Sequence, residues 1–186
     1  LISIGYAMSL EPSVSIGDTV FCSKITALEG PMALWHRDSS SILQISSPMQ
    51  FDDYGNTILN NVKAFSEGNL LSVNNVPSSL KMRYWIGEEF DSCVIDIWSS
   101  DISTTCLKLK IPFVLIRFIV MAADEKISVF DRRNLGELVN PTFSNYIIPS
   151  NIFAILKTRI RRKKAMHDFN QIISAVGSMP SKIIDP

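Results

Sequence analysis

Histidine and cysteine are scarce. Two histidines, His36 and His167, and three cysteines, Cys22, Cys93 and Cys106, stand among 186 residues, and neither histidine has a partner at a metal-ligand spacing such as H-x-x-x-H. No resident metal or other cofactor is therefore expected. The cysteines are odd in number, lack C-x-x-C spacing and lie inside apolar or β-branched runs, which predicts reduced core thiols rather than a disulfide framework. The eight glycines are scattered singly. Neither G-x-x-x-x-G-K-[ST] nor G-x-G-x-x-G occurs, so no phosphate-cradling loop is expected, and the nucleophile elbow G-x-S-x-G is missing too. A triad assembled from distant positions would leave no such trace. With no motif for any of these chemistries, the sequence predicts a protein that is not an enzyme.

Long apolar runs are also lacking. The longest, residues 111–123, is interrupted by Arg117 and falls short of the roughly 18–20 residues that a membrane-spanning helix needs. The one asparagine with Ser or Thr two places on, Asn140, is followed by Pro141, which blocks glycosylation. A soluble, intracellular protein, cytoplasmic or nuclear, is the expectation. The chain opens on Leu1, so a leader or lipid anchor upstream stays open.

What is present is enough apolar matter, 46% of the residues, to bury a sizeable core in one domain. The formal net charge is zero, which argues against a protein that coats nucleic acid over its whole surface. That zero hides an asymmetry. Residues 1–156 carry 16 acidic and 11 basic side chains, whereas residues 157–164 hold six of the 18 cations and no anion: Lys157, Arg159, Arg161, Arg162, Lys163 and Lys164. At 100° per residue these spread almost all round a helix, which predicts that the helix leaves the body there, with Ile160 as its one apolar contact.

Along the chain, residues 1–8, 19–28 and 42–45 read as short strands rich in Ile, Val, Thr and Phe. Residues 52–67 read as a helix, capped by Asp52 or Asp53, with Tyr54, Ile58, Val62 and Phe65 on one stripe. Residues 72–79 read as a loop. Leu80, Met82, Tyr84 and Ile86 alternate with Lys81, Arg83 and Trp85, so residues 80–98 are expected to form a hairpin turning at Gly87-Glu88-Glu89. Residues 102–109 suggest a further strand. Residues 111–121 suggest a strand buried on both faces, with Pro112 confined to its beginning or to a bulge. A short helix over 134–139 follows, then a long one from Ser150 to about Val176, stopped by Gly177 and Pro180. Its first turns offer Ile152, Phe153, Leu156 and Ile160, its last Phe169, Ile172, Ile173 and Val176.

The fold class expected is α+β: a β-rich central sheet, antiparallel or mixed, with one mid-chain helix and a long C-terminal helical segment. Residues 1–148 would form the core domain, 149–177 the helical segment with the basic tract, and 178–186 a tail. The acidic series Glu88, Glu89, Asp91, Asp96 and Asp101 lacks EF-hand spacing and reads as solvated charge around the hairpin turn.

Two features remain to carry a function. The basic tract suits phosphate, anionic lipid headgroups or an import receptor. Lys81, Arg83 and Trp85 on one strand face would form a second basic and aromatic surface, of the kind that stacks single-stranded nucleic acid. Together they suggest a structural or assembly protein of the viral matrix or coat type. It would self-associate and use the tract to hold nucleoprotein, RNA or an anionic membrane, and the virion is then a further location. The alternative is a nucleic-acid-binding module of the movement or silencing-suppressor kind, with a small enzyme lacking any recognisable motif third.

Overall fold

A computed structural model describes residues 1–28, 42–46, 65–127 and 149–177. Six strands form one mixed sheet: β1 (Ile2–Ser9), β2 (Thr19–Leu28), β3 (Ile42–Ser46), β4 (Phe65–Val73), β5 (Val94–Asp96) and β6 (Val114–Met121). Three helices accompany them: α1 (Leu80–Glu89), α2 (Ser99–Lys108) and α3 (Pro149–Gly177). The result is a mixed α/β fold, compatible with the α+β class expected.

The strands lie in the order β3-β2-β4-β5-β1-β6, and β2 also pairs with β6, so five of them close into a ring with β3 attached outside. Closure depends on β2 changing neighbours along its length. Thr19–Cys22 pair antiparallel with Leu115–Phe118 of β6, and Lys24–Leu28 pair antiparallel with β3. On its other side β2 runs parallel to β4 throughout, with a register shift between Cys22 and Lys24. A bulge bends a strand and sharpens its twist, and this one falls where β2 leaves one partner for the other. A second shift, between Ala7 and Met8 of β1, falls where β1 begins to pair with β5 as well as β6.

All eight residues of β6 are buried, as its unbroken apolar sequence requires, and Pro112 lies just before the strand. Alternate side chains go to opposite faces. Val114, Ile116 and Phe118 pack with Ala165 and Ile172 of α3, whereas Leu115 and Ile119 join Val20, Cys22, Leu70 and Val94 in a cluster that Cys106 of α2 closes. A third cluster, around Met8, Leu71, Ile95 and Met121, is covered by Ile86 of α1.

The expected strands at residues 1–8, 19–28, 42–45 and 111–121 correspond to β1, β2, β3 and β6, and the long C-terminal helix to α3. Three expectations change. Residues 80–98 are no hairpin: ten of them form α1, and Val94–Asp96 is a short parallel neighbour of β4. Residues 102–109 lie in α2 and the turn after it. Phe65, expected at the end of a helix, opens β4, which extends to Val73 in the expected loop. The rest of the helix expected over 52–67, its residues 52–64, and the helix expected over 134–139 fall outside the described residues.

Local chemistry explains α1. Ser79 accepts a hydrogen bond from the Met82 amide at 3.4 Å as N-cap, and Met82, Ile86 and Phe90 recur at the helical spacing of four against the same cluster. In a ten-residue stretch the pairs Leu80, Met82 and Tyr84, Ile86 imitate strand alternation, but burial of Arg83 and Gly87 on an adjacent line of the helix settles the period. In α2, Ile102 and Cys106 meet the core four residues apart. The β-branched Ile102, Thr104 and Thr105 suggested a strand, and tertiary packing overrides that propensity.

Candidate functional site

One buried ion pair among the described residues is structural. Arg117 in β6 donates from Nε to Asp96 Oδ2 at 2.6 Å, with both side chains almost fully buried. Its Nη2 donates to Ser99 Oγ at 2.6 Å and its Nη1 to the Ser3 carbonyl at 3.1 Å. Ser99 Oγ in turn donates to Asp96. Every strong donor here is used within the protein, and removing one partner of such a pair costs about 3–5 kcal/mol because the other charge stays buried. The network ties β1, β5, β6 and the start of α2 together and offers no free group to a substrate.

A second set of ionisable groups lines a groove of about 620 Å³ beside α1, within the range of small-molecule sites. Three segments build it. The turn after β1 brings Glu11 and Ser13, and the start of β4 brings Glu67 and Asn69. α1 and the loop into β5 bring Tyr84, Glu88, Asp91 and Cys93. Ser9 Oγ accepts from the Glu11 amide at 3.2 Å, which turns the chain as β1 ends, and Ser13 Oγ donates to Glu11 Oε1 at 2.6 Å. The Leu10 amide donates to the Cys93 carbonyl at 2.8 Å, so the two sides of the groove are stitched together.

Opposite Glu11, the end of α1 is held in an unusual conformation. Asp91 has φ 49°, the left-handed region that favours glycine. The amides of Asp91 and Ser92 donate to the carbonyls of Glu88 and Gly87, a Schellman ending. Asn69 Nδ2 donates to the Asp91 carbonyl at 2.8 Å and to its carboxylate at 3.3 Å. Cys93 lies half-buried beneath, its thiol donating to the Asn69 carbonyl at 3.4 Å. Burial, then the Glu11 carboxylate, push this thiol up to about 11, so it is protonated at neutral pH and no nucleophile. Gly68 is required here, since a Cβ would stand 2.3 Å from the Cys93 sulfur. Chemically the groove offers carboxylates, hydroxyls and one phenol ring. Among the described residues no three His, Cys, Asp or Glu side chains are grouped to hold a metal.

The basic tract is placed differently from the expectation that the helix leaves the body there. Arg161 donates from both Nη atoms to the Glu125 carboxylate at 2.6 Å, and from Nη1 to the Val120 carbonyl at 2.9 Å. Lys157 also donates to Glu125. Arg162 stands 5.3 Å from the centre of the Tyr6 ring, and Arg159 and Lys163 are exposed. The Lys164 side chain is outside the described residues. Burial alone would raise the Glu125 carboxyl, but the hydrogen bonds and charges of Arg161 and Lys157 outweigh it and hold it at about 2. Ile160, expected as the apolar contact, is 72% exposed, with Phe153 and Leu156 also exposed. Ala165 and Ile172 make the buried contact instead.

Lys81, Arg83 and Trp85 are not on one face. Lys81 and Trp85, four apart on α1, line a separate pocket. Arg83 is buried and donates to the carbonyls of Ala123, Pro77, Ser78 and Glu125 at 2.7–3.1 Å. The acidic series also divides: Glu88 and Asp91 face the groove, and Asp96 is in the core. Glu11, Tyr84 and Cys93 were not singled out as site residues from sequence, because they come together only when β1, α1 and β5 converge. No helix among the described residues is long and apolar enough to cross a membrane.

No protein-family model matches the chain, and no curated protein matches it in sequence. Solved structures do. Futalosine hydrolase of Helicobacter pylori matches with a TM-score of 0.58 and 17% identity, over 72% of this chain and 60% of its own length. The 5'-methylthioadenosine/S-adenosylhomocysteine nucleosidase of Neisseria meningitidis, in complex with methylthio-immucillin-A, gives 0.57 and 22% over 72% and 61%. The nucleosidase of that same description from Campylobacter jejuni gives 0.55 and 16% over 88% and 69%. The chain thus spans about three-fifths of the length of the first two, and at these identities the likeness is one of fold. The neighbours are nucleosidases and a hydrolase, not viral matrix or coat proteins, and that finding overturns the expectation of a non-enzymatic viral structural protein.

Proposed function

We propose that the chain is an enzyme of the nucleosidase type, which hydrolyses the N-glycosidic bond of a nucleoside, with the groove beside α1 as its active site. The observation that carries this reading is the likeness of fold to futalosine hydrolase and to 5'-methylthioadenosine/S-adenosylhomocysteine nucleosidases. In such a reaction the bond from the anomeric carbon to the base nitrogen breaks, water adds to that carbon, and the base leaves with a proton. A carboxylate that takes the proton of the attacking water, and a second that faces the positive charge developing on the sugar, are the groups this chemistry calls for. Glu11 suits the first role. Ser13 orients one of its oxygens, and the other has no hydrogen-bond partner among the described residues. Asp91, held by Asn69 across the groove, suits the second, and Tyr84 offers a ring on which a base can stack.

The test is release of free base from 5'-methylthioadenosine and adenosine by the purified protein. Release is expected, and Glu11→Gln should slow it at least a hundredfold while the circular dichroism spectrum is kept. Failure of the folded wild-type protein to release base would sink the proposed activity. Release that Glu11→Gln leaves unchanged would instead move the site out of the groove.

A further inference from the structure

We propose that α1 carries a second binding site on its other side, a pocket for a small planar aromatic carboxylate held between Lys81 and Trp85. This site does not rest on the nucleosidase reading. The pocket has a volume of about 530 Å³ and is lined by Pro77, Ser78, Ser79, Lys81, Met82 and Trp85, whereas the groove takes Tyr84, Gly87 and Glu88 from the opposite flank of the same helix.

Its walls are those of an aromatic site. Pro77, Met82 and Trp85 supply apolar surface. The Trp85 indole is half-buried and its plane is set by Phe90, whose ring meets it edge-on at 6.4 Å and 77°. A flat, polarisable wall of this kind favours a flat occupant. The floor is rigid as well, because the Arg83 guanidinium holds the carbonyls of Pro77 and Ser78 and links them to those of Ala123 and Glu125 beyond β6. A pre-formed pocket loses little order on binding.

The charge of the occupant follows from what the lining contains. Lys81 is exposed and makes no ion pair among the described residues. It sits one turn before Trp85, so ammonium and indole share one helix face. No Asp or Glu lines the pocket, and the first turn of α1 has no acidic residue to offset the positive end of the helix. One cation, no anion and an aromatic wall together match a ring bearing a carboxylate at one edge, and match a neutral or cationic ring poorly.

Titration calorimetry of the whole protein with indole-3-acetate, and with its neutral counterpart indole-3-acetamide, tests the site. The acetate is expected to bind at least tenfold more tightly than the amide. Lys81→Met, a change at an exposed position, should remove that preference. Trp85→Leu should weaken both ligands at least tenfold. Should Trp85→Leu lose its fold, shifts of the Met82 methyl and Trp85 indole resonances in the wild-type protein on adding the acetate serve as the second readout. Absence of binding at millimolar concentration, equal affinity for acetate and amide, a preference that survives Lys81→Met, or resonances that stay still would each overturn the proposal.

Discussion

At the scale of the single residue, burial and neighbouring charge decide what each ionisable group can do. Cys93 shows this most directly. It is the one cysteine with partial access, since Cys22 and Cys106 are buried, and all three are free thiols. Its thiol is held at about 11 by burial and then by Glu11, against an ordinary value of 9.0. Two units leave about a hundredth of the usual thiolate at a given pH. Alkylation by iodoacetamide at pH 8, followed by mass spectrometry of the intact protein, should therefore be about a hundredfold slower at Cys93 than for a free thiol, and should accelerate as pH approaches 11. Labelling at the rate of a free thiol would show that the groove is neither as buried nor as acidic as described. Arg117 and Asp96 illustrate the converse, a pair of charges so completely matched that it serves only to join strands.

At the scale of the element, the helix ends carry more information than the helix interiors. α1 and α2 both end in Schellman motifs with a non-glycine residue in the left-handed position, Asp91 at φ 49° and Lys110 at φ 54°. The amides of Lys110 and Ile111 donate to the carbonyls of Leu107 and Cys106. A side chain in that region costs roughly 1 kcal/mol relative to glycine. Lys110→Gly should therefore stabilise the protein by up to about 1 kcal/mol, visible as a rise of a few degrees in the thermal midpoint. A lower midpoint would mean that the exposed Lys110 side chain contributes more than its backbone strain. These endings also explain why α1 and α2 were hard to read as helices. Glycine marks most such stops, and neither Asp91 nor Lys110 announces one. Ser79, by contrast, is a standard N-cap, and its place before Leu80 was the available signal for α1. The strands with uniform apolar character, β2 and β6, were legible because burial on both faces demands that composition whatever their neighbours.

At the scale of the whole molecule, α3 is fastened by a charge cluster as much as by apolar contact. Glu125, just beyond β6, receives Arg161 and Lys157 from α3 and is held at about 2. Its folded value lies below the unfolded one of about 4.5. The stability it contributes is therefore fully present above pH 4.5 and is lost as pH falls from there toward 2. Thermal midpoints of the wild-type protein and of Glu125→Gln should differ at pH 7, with the variant lower, and converge as pH approaches 2. A difference that persists at pH 2 would assign the effect to packing and not to the carboxylate.

The same cluster shows where sequence and tertiary structure part. Composition and local pattern were enough for the mixed class, the apolar strands, the long C-terminal helix and the density of charge at residues 157–164, because each depends on near neighbours in the chain. The fate of that charge was settled by Glu125, 32 residues before Lys157 and 36 before Arg161. Likewise the groove exists only because ring closure brings the turn after β1, the start of β4 and the end of α1 to one place. Such contacts join segments far apart in the chain, and their geometry is fixed by strand order and by the bulges that bend β1 and β2, which no local pattern encodes. The likeness of fold to solved structures became visible at that level, where the arrangement of the ring and its helices can be compared with that of other proteins even at 16–22% identity.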